Sequence, residues 1–157
     1  MDTSEMLERS HLTVFQTIDD LPEVEWDIPG ACGKWAVKDI IAHLTSYEHV
    51  MVDTLNTFLG SAPSANVLKF IKDRAAFNNA EVEARQYHTA QQVEDEYNDT
   101  QLQSSGLLAQ IPKEIVQQIG TMPWYGSEHS LANFVKMVYE HTREHCDQIV
   151  AFRKRIK

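Results

Sequence analysis

The sequence predicts an all-α protein with a single domain over residues 1–157, built on a four-helix bundle. Apolar residues recur at intervals of three and four over long stretches, with almost none of the alternation that strands show. The 6 Gly and 5 Pro fall in clusters between these stretches, where they predict helix ends and loops. A chain of 157 residues, 43% of them hydrophobic, can bury a core of its own without a disulfide framework or a structural metal.

The first two helices are predicted over residues 3–21 and 37–59. Thr3 or Ser4 is the expected N-cap of the first helix, because an acidic residue follows and an apolar stripe begins shortly after. The second helix carries a long apolar face, and Pro63 closes the region after it.

A shorter helical piece is predicted over residues 67–85, and the third main helix over 89–111. Thr89 and Gln92 have the spacing of a capping box at the start of that helix, and Pro112 follows its end. Its inner face is unusually polar near the middle.

The fourth main helix is predicted over residues 130–155, after a long loop over 112–129. Four long helices with one extended connection indicate a bundle with a crossover. Trp124 and Tyr125 lie in the loop, where they are candidates for a lid over a site or for a dimer contact.

Composition excludes several classes of protein. With 14 Lys+Arg against 23 Asp+Glu the net charge is -9, which argues against nucleic acid or an anionic membrane as the main partner. No apolar run approaches the ~20 residues of a membrane span. Cys32 and Cys146 are too few for a disulfide scaffold, so we expect a cytoplasmic protein in which Cys146 is a buried small hydrophobe.

His141 and His145 are the first candidates for chemistry. They lie four residues apart within the apolar stripe of the fourth helix, so their rings project from one face about one turn apart. Two imidazoles at this spacing can chelate one divalent ion. The alternative is that both are hydrogen-bonded core residues. Burying two imidazoles in one apolar stripe costs free energy, however, unless their ring nitrogens find partners.

His43, at the flank of the second helix's apolar face, is the third candidate ligand, and the alternative is an ordinary half-buried histidine. Three histidines on facing helices would leave a fourth position open for water or substrate, as catalytic zinc sites do. Zinc or nickel is the expected ion, although iron and manganese accept the same ligands.

Gln148, three residues after His145, is a candidate to hold that imidazole in place, and otherwise an ordinary boundary residue. Further residues on the inner faces are candidates for lining a pocket. The alternative for them is bundle packing, with hydroxyl groups bonded back to their own helix. These candidates are His11, Tyr47, Tyr97, Thr100 and Ser104.

Two motifs resemble those of the DinB/YfiT-like family. The stretch 35–44 begins with a Trp that opens a helix and ends with the pair His43-Leu44. The stretch 141–148 has two histidines at i and i+4 followed by a Gln. Residues 77–89 are also similar to the region between the family's second and third helices. The order and spacing of these motifs extend the resemblance over nearly the whole chain.

The resemblance implies a four-helix bundle of up-up-down-down topology and a divalent metal held by His43, His141 and His145. Some relatives are transferases or isomerases that use low-molecular-weight thiols, and others detoxify electrophiles. We therefore expect a metal-dependent thiol S-transferase, or an enzyme that detoxifies a small electrophile, acting as a homodimer. The alternatives are a hydrolase that uses metal-activated water and a non-catalytic small-molecule-binding bundle of the stress response.

Overall fold

The computed structural model describes residues 1–157 and contains helices but no strand, which confirms the all-α prediction. A 3₁₀ turn at Glu23–Asp27 follows the first helix. The seven α-helices are α1 (Thr3–Ile18), α2 (Val37–Thr57), α3 (Ala65–Lys72), α4 (Arg74–Ala84), α5 (Ala90–Leu108), α6 (Lys113–Gln117) and α7 (Leu131–Arg155).

The four long helices α1, α2, α5 and α7 form a bundle of two parallel pairs. Arg153, near the end of α7, donates hydrogen bonds to the carbonyl groups of Thr17 and Asp19, so α1 and α7 finish at the same end of the bundle. Lys38, near the start of α2, donates to the carbonyl of Gln86 just before α5, so those two helices begin together.

The two pairs run in opposite directions. Tyr47 stacks on His141 while His43, one turn earlier in α2, lies beside His145, one turn later in α7. The order of directions is therefore up-down-down-up, which corrects the up-up-down-down order implied by the family resemblance. The physical reason is that the connection 19–36 returns the chain at the end where α1 finishes, so α2 must run back.

The long crossover also lies elsewhere than predicted. The 112–129 segment stays at one end of the bundle, where α6 packs against α7. The chain instead crosses from one end of the bundle to the other between α2 and α5, through α3 and α4. These two helices have 8 and 11 residues, together as many as the 19 residues of α5. At about 1.5 Å per helical residue, they are together long enough to span the length of α5. The predicted 67–85 piece is thus two helices, separated at Asp73, which caps α4 through the amide of Ala76.

Helix ends differ from the predictions by a few residues. The N-cap of α1 is Asp2, whose carboxylate accepts from the amide of Glu5 at 2.9 Å, and not Thr3 or Ser4. The capping box of Thr89 and Gln92 at the start of α5 is confirmed by hydrogen bonds in both directions.

The interior consists of two apolar clusters, one toward each end of the bundle. Tyr47 and Val138 belong to one cluster, whereas Ile40 and Cys146 belong to the other, with Cys146 buried as predicted. His43 lies between Ile40 and Tyr47 in α2, and His141 lies between Val138 and Cys146 in α7. Both histidines are therefore at the level where the two clusters meet. No helix combines the length and the apolar character that crossing a bilayer requires.

Candidate metal centre

His43 from α2 and His141 and His145 from α7 lie together between these two helices. The Nε2 atom of His141 is 3.0 Å from Nε2 of His43 and 3.1 Å from Nε2 of His145. The ligand atoms of all three residues lie within 4.8 Å of one another. The i, i+4 spacing aligns the two rings of α7, and the antiparallel course of α2 places the third opposite them.

All three imidazoles favour the neutral form. Burial, with the charges of His141 and His145 as smaller causes, lowers the pKa of His43 to about 3. Burial and the charge of His145 lower the pKa of His141 to about 4. Burial also lowers the pKa of His145, although its hydrogen bond to Gln148 and the charge of Glu144 oppose the shift. Neutral imidazole is the form that binds a metal.

Gln148 sets the tautomer of His145. The Nδ1 atom of His145 lies 2.8 Å from Oε1 of Gln148, and an amide oxygen can only accept, so the ring donates from Nδ1. The lone pair of His145 is therefore on Nε2, which faces His141. The Nδ1 atoms of His43 and His141 are buried and have no hydrogen-bond partner.

Hydrogen bonding within the cluster cannot satisfy all three rings. Nε2 of His141 carries at most one proton, which it can donate to the lone pair on Nε2 of His145. No proton on His141 then remains for its other short contact, with Nε2 of His43. A cation shared by three lone pairs removes this conflict. Tetrahedral ligands at 2.0–2.1 Å from zinc lie about 3.3 Å apart, close to the 3.0 and 3.1 Å that separate Nε2 of His141 from those of His43 and His145. The donor set therefore fits a divalent transition metal.

Aromatic side chains surround the cluster. Tyr47 stacks on His141 with ring centroids 4.4 Å apart and planes 13° from parallel, and its edge meets His43 at 4.7 Å. Trp35 lies 5.1 Å from His43 on the other side. Of the five candidates for pocket lining, Tyr47 is the one in contact with the cluster, through His43 and His141.

His11 and Ser104 belong to a different buried group, centred on Glu48. The Nε2 atom of His11 donates to the Glu48 carboxylate at 2.7 Å, and Ser104 donates to the same oxygen at 2.8 Å. The other ring nitrogen of His11 accepts from Ser105 at 3.3 Å. This network bridges α1, α2 and α5 with both ring nitrogens of His11 paired, which fits the alternative of bundle packing. That these residues line a pocket stays a prediction.

The remaining two candidates pack in the same region. Tyr97 meets the rings of His11 and Phe15 edge to face, and the Thr100 hydroxyl donates to the carbonyl of Glu96 one turn earlier. Both fit the alternative of bundle packing. Sequence reasoning overlooked Glu48, although an acidic residue between Tyr47 and Met51 on an apolar face was a visible signal.

A family model described as the DinB superfamily matches residues 6–149 of the chain. The matched range contains His43, His141, His145 and Gln148, and it includes all four long helices in whole or in large part. No curated protein and no solved structure gives a significant match. Because the family match extends over most of the chain, and the fold and the histidine cluster agree with the resemblance noted in its motifs, this protein belongs to the DinB superfamily.

Proposed function

We propose that the chain is a metal-dependent enzyme that transfers a low-molecular-weight thiol to a small electrophile. In this proposal His43, His141 and His145 hold one divalent ion, zinc or nickel. The observation that carries it is the convergence of three imidazoles, buried at His43 and half-buried at His141 and His145, whose Nε2 atoms cannot satisfy one another by hydrogen bonding.

A divalent ion bound here would supply Lewis acidity to the group in the position that three protein ligands leave open, favouring the thiolate form of a thiol. In the overall reaction the sulfur forms a bond to an electrophilic carbon. The leaving group departs with the electron pair of the bond that breaks, and the thiol proton is released to solvent.

The chain's own residues orient the ligands and keep them dry. Gln148 holds the Nδ1 proton of His145, which directs the opposite lone pair inward. Tyr47 and Trp35 fix the planes of two rings by contact, and the surrounding apolar clusters limit access of water. A low-dielectric surrounding strengthens every electrostatic interaction at such a site.

The first test is the metal content of the purified protein and of two variants. The double variant His141→Ala/His145→Ala should lose stoichiometric metal, with the amount of metal per protein measured by elemental mass spectrometry. The matched control is His11→Ala, which also removes a buried histidine. It should keep the metal and lose about 1–3 kcal/mol of unfolding free energy, because Glu48 loses a hydrogen-bond donor. Unchanged metal content in the double variant would refute the site.

The second test is turnover of a generic alkylating electrophile, iodoacetamide, with and without a set of low-molecular-weight thiols. Activity that requires a thiol and disappears in His43→Ala supports the transferase. Activity toward ester substrates without any thiol would support the hydrolase instead. Stoichiometric metal with no turnover across thiols would favour a binding protein without catalysis.

A further inference from the structure

Arg74, the first residue of α4, presents a cation that has no carboxylate partner. Its guanidinium lies over the ring of Phe70, with Cζ 4.5 Å from the ring centroid, and Nη2 donates to the Tyr125 hydroxyl at 3.2 Å. Neither contact neutralises the charge. No ion pair within 4.0 Å involves Arg74, and the neighbouring Asp73 carboxylate caps α4 instead. The side chain is exposed and held in position by neutral groups.

Two aromatic rings connect this cation to the histidine cluster. Phe70, beneath the guanidinium, meets Tyr47 edge to face at 5.1 Å, and Tyr47 stacks on His141. The charge of Arg74 acts on both of these neighbours. It adds to burial and to His145 in lowering the pKa of His141. For the Tyr47 phenol, burial raises the pKa, and Asn78 and Arg74 oppose that rise.

Asn78 lies one turn after Arg74 on α4, so the two side chains share a face of the helix. Asn78 opposes the rise in the pKa of the Tyr47 phenol, and its Oδ1 atom is buried without a partner. Tyr125 completes the group, since it bonds Arg74 and packs on Phe134 at 5.7 Å. Polar groups around a single guanidinium therefore lie next to the aromatic residues Phe70 and Tyr47, which lead to the histidine site.

We propose that Arg74 binds a carboxylate group carried by one of the two reactants of the histidine site, an inference that rests on the proposed function. On a chain of net charge -9, an anionic reactant needs a local cation to be retained. A guanidinium is suited to this task, because its planar fork matches a carboxylate with two parallel hydrogen bonds. Its contacts with Phe70 and Tyr125 restrict the side chain before the reactant arrives, which lowers the entropy lost on binding.

The experiment compares pairs of probes that differ by a carboxylate and an amide. Mercaptoacetate and mercaptoacetamide are titrated into the metal-loaded protein by calorimetry, which tests the thiol as the source of the carboxylate. Chloroacetate and chloroacetamide are compared as substrates through KM and kcat, which tests the electrophile. In one of the two pairs the carboxylate should bind about tenfold tighter or more, and Arg74→Gln should remove the difference while the amide is unaffected.

Arg143 offers a matched control variant. Its guanidinium also lies over a tyrosine ring, that of Tyr139, and bonds the phenol at 3.4 Å, but it lies on the outer surface of α7. Arg143→Gln changes the net charge equally and should leave the preference intact. Arg74→Lys keeps the positive charge but lacks the planar pair of N–H donors, so it should retain part of the preference for a carboxylate. Circular dichroism of each variant reports whether it is folded.

The outcomes separate this inference from the proposed function. If both thiols bind with equal affinity and both electrophiles react with equal KM, Arg74 does not select a carboxylate, and the metal-dependent transferase stands. A preference that survives in Arg74→Gln, or that is lost equally in Arg143→Gln, overturns the inference as well. If neither thiol binds the metal-loaded protein, the proposed function and the inference fall together.

Discussion

Two kinds of inward-facing histidine occur within this chain. His11 has a partner on each ring nitrogen, Glu48 on one side and Ser105 on the other, so its environment is complete. His43 and His141 have buried Nδ1 atoms without partners and Nε2 atoms directed at each other. A buried polar group without a partner costs free energy, and such exceptions often mark functional sites. Hydrogen-bond completeness, and not burial, separates the candidate ligands from the structural histidine.

Replacing Gln148 tests whether it positions His145. Gln148→Leu removes the acceptor of the Nδ1 proton at similar volume, so the ring can rotate or change tautomer. We expect metal affinity to fall about 10–100-fold, measured by competition with a chelator of known affinity. Gln148→Glu keeps an acceptor at this position and should retain most of the affinity. Equal affinity of the Leu variant and the parent protein would show that Gln148 is an ordinary boundary residue.

The depressed pKa values of the cluster predict how the stability of the chelated, metal-free protein depends on pH. His43 and His141 have pKa values of about 3 and about 4 in the folded chain, against 6.5 in the unfolded chain. Below pH 6.5 the unfolded state therefore binds protons that the folded state does not, and stability falls as pH falls toward 4. Each histidine contributes a slope of up to about 1.4 kcal/mol per pH unit.

Urea denaturation at a series of pH values measures this slope. A His43→Phe/His141→Phe variant provides the comparison, since its aromatic rings cannot take up protons. Its stability should depend less on pH between 6.5 and 4 than that of the metal-free parent. Parallel curves for the two proteins would show that these histidines are not held neutral.

At the scale of elements, helix ends in this chain are set by local side-chain bonds. Asp2, Ser64, Asp73, Thr89 and Ser130 each accept a hydrogen bond from an amide in the first turn of the helix that follows. Asp73 is the single residue between α3 and α4, and its cap starts α4 so that Arg74 lies over Phe70, which meets Tyr47. A local capping signal thus decides which residues reach the edge of the histidine site.

Thr89→Ala tests the contribution of one cap. The Thr89 side chain accepts from the Gln92 amide at 3.1 Å, and its loss leaves that amide to water. We expect a loss of about 1 kcal/mol in unfolding free energy, measured by denaturant titration. Thr13→Ala is the control, because the exposed Thr13 hydroxyl only bonds back to the Arg9 carbonyl within α1. A larger loss for the control would contradict the capping role.

At the scale of the whole molecule, the two apolar clusters account for the fold without an ion. Each contains 16 buried residues and draws on all four long helices. The candidate ligands lie where the clusters meet and are a small part of the interior. The homodimer and the cytoplasmic location expected from the sequence stay predictions, as does the role of Trp124 and Tyr125 as a lid.

Removal of the metal should therefore leave the fold intact. After chelation, circular dichroism should show the same helical content, because the apolar clusters persist. Returning zinc or nickel should raise the melting temperature, since a ligand at 100 times its Kd adds about 2.7 kcal/mol to the folded state. The increase should be absent in His141→Ala/His145→Ala. Loss of helix on chelation would instead identify a structural metal site.

Sequence alone predicts the four long helices and the part of the site that lies within one helix. Periodicity, caps and prolines are properties of one segment, so the four long helices were predicted to within a few residues at each end. The i, i+4 spacing of His141 and His145 and the position of Gln148 are likewise local to one helix.

Three-dimensional packing determines which helices run parallel, where the chain crosses the bundle, and which inner residues meet. His11 and His43 both lie on inner faces, yet Glu48 pairs with the first and α7 with the second. The path of α3 and α4 likewise places Arg74 over Phe70, which meets Tyr47. The physical reason is that amphipathic periodicity specifies which face of a helix is buried, whereas its neighbour and direction follow from packing between segments far apart in the chain.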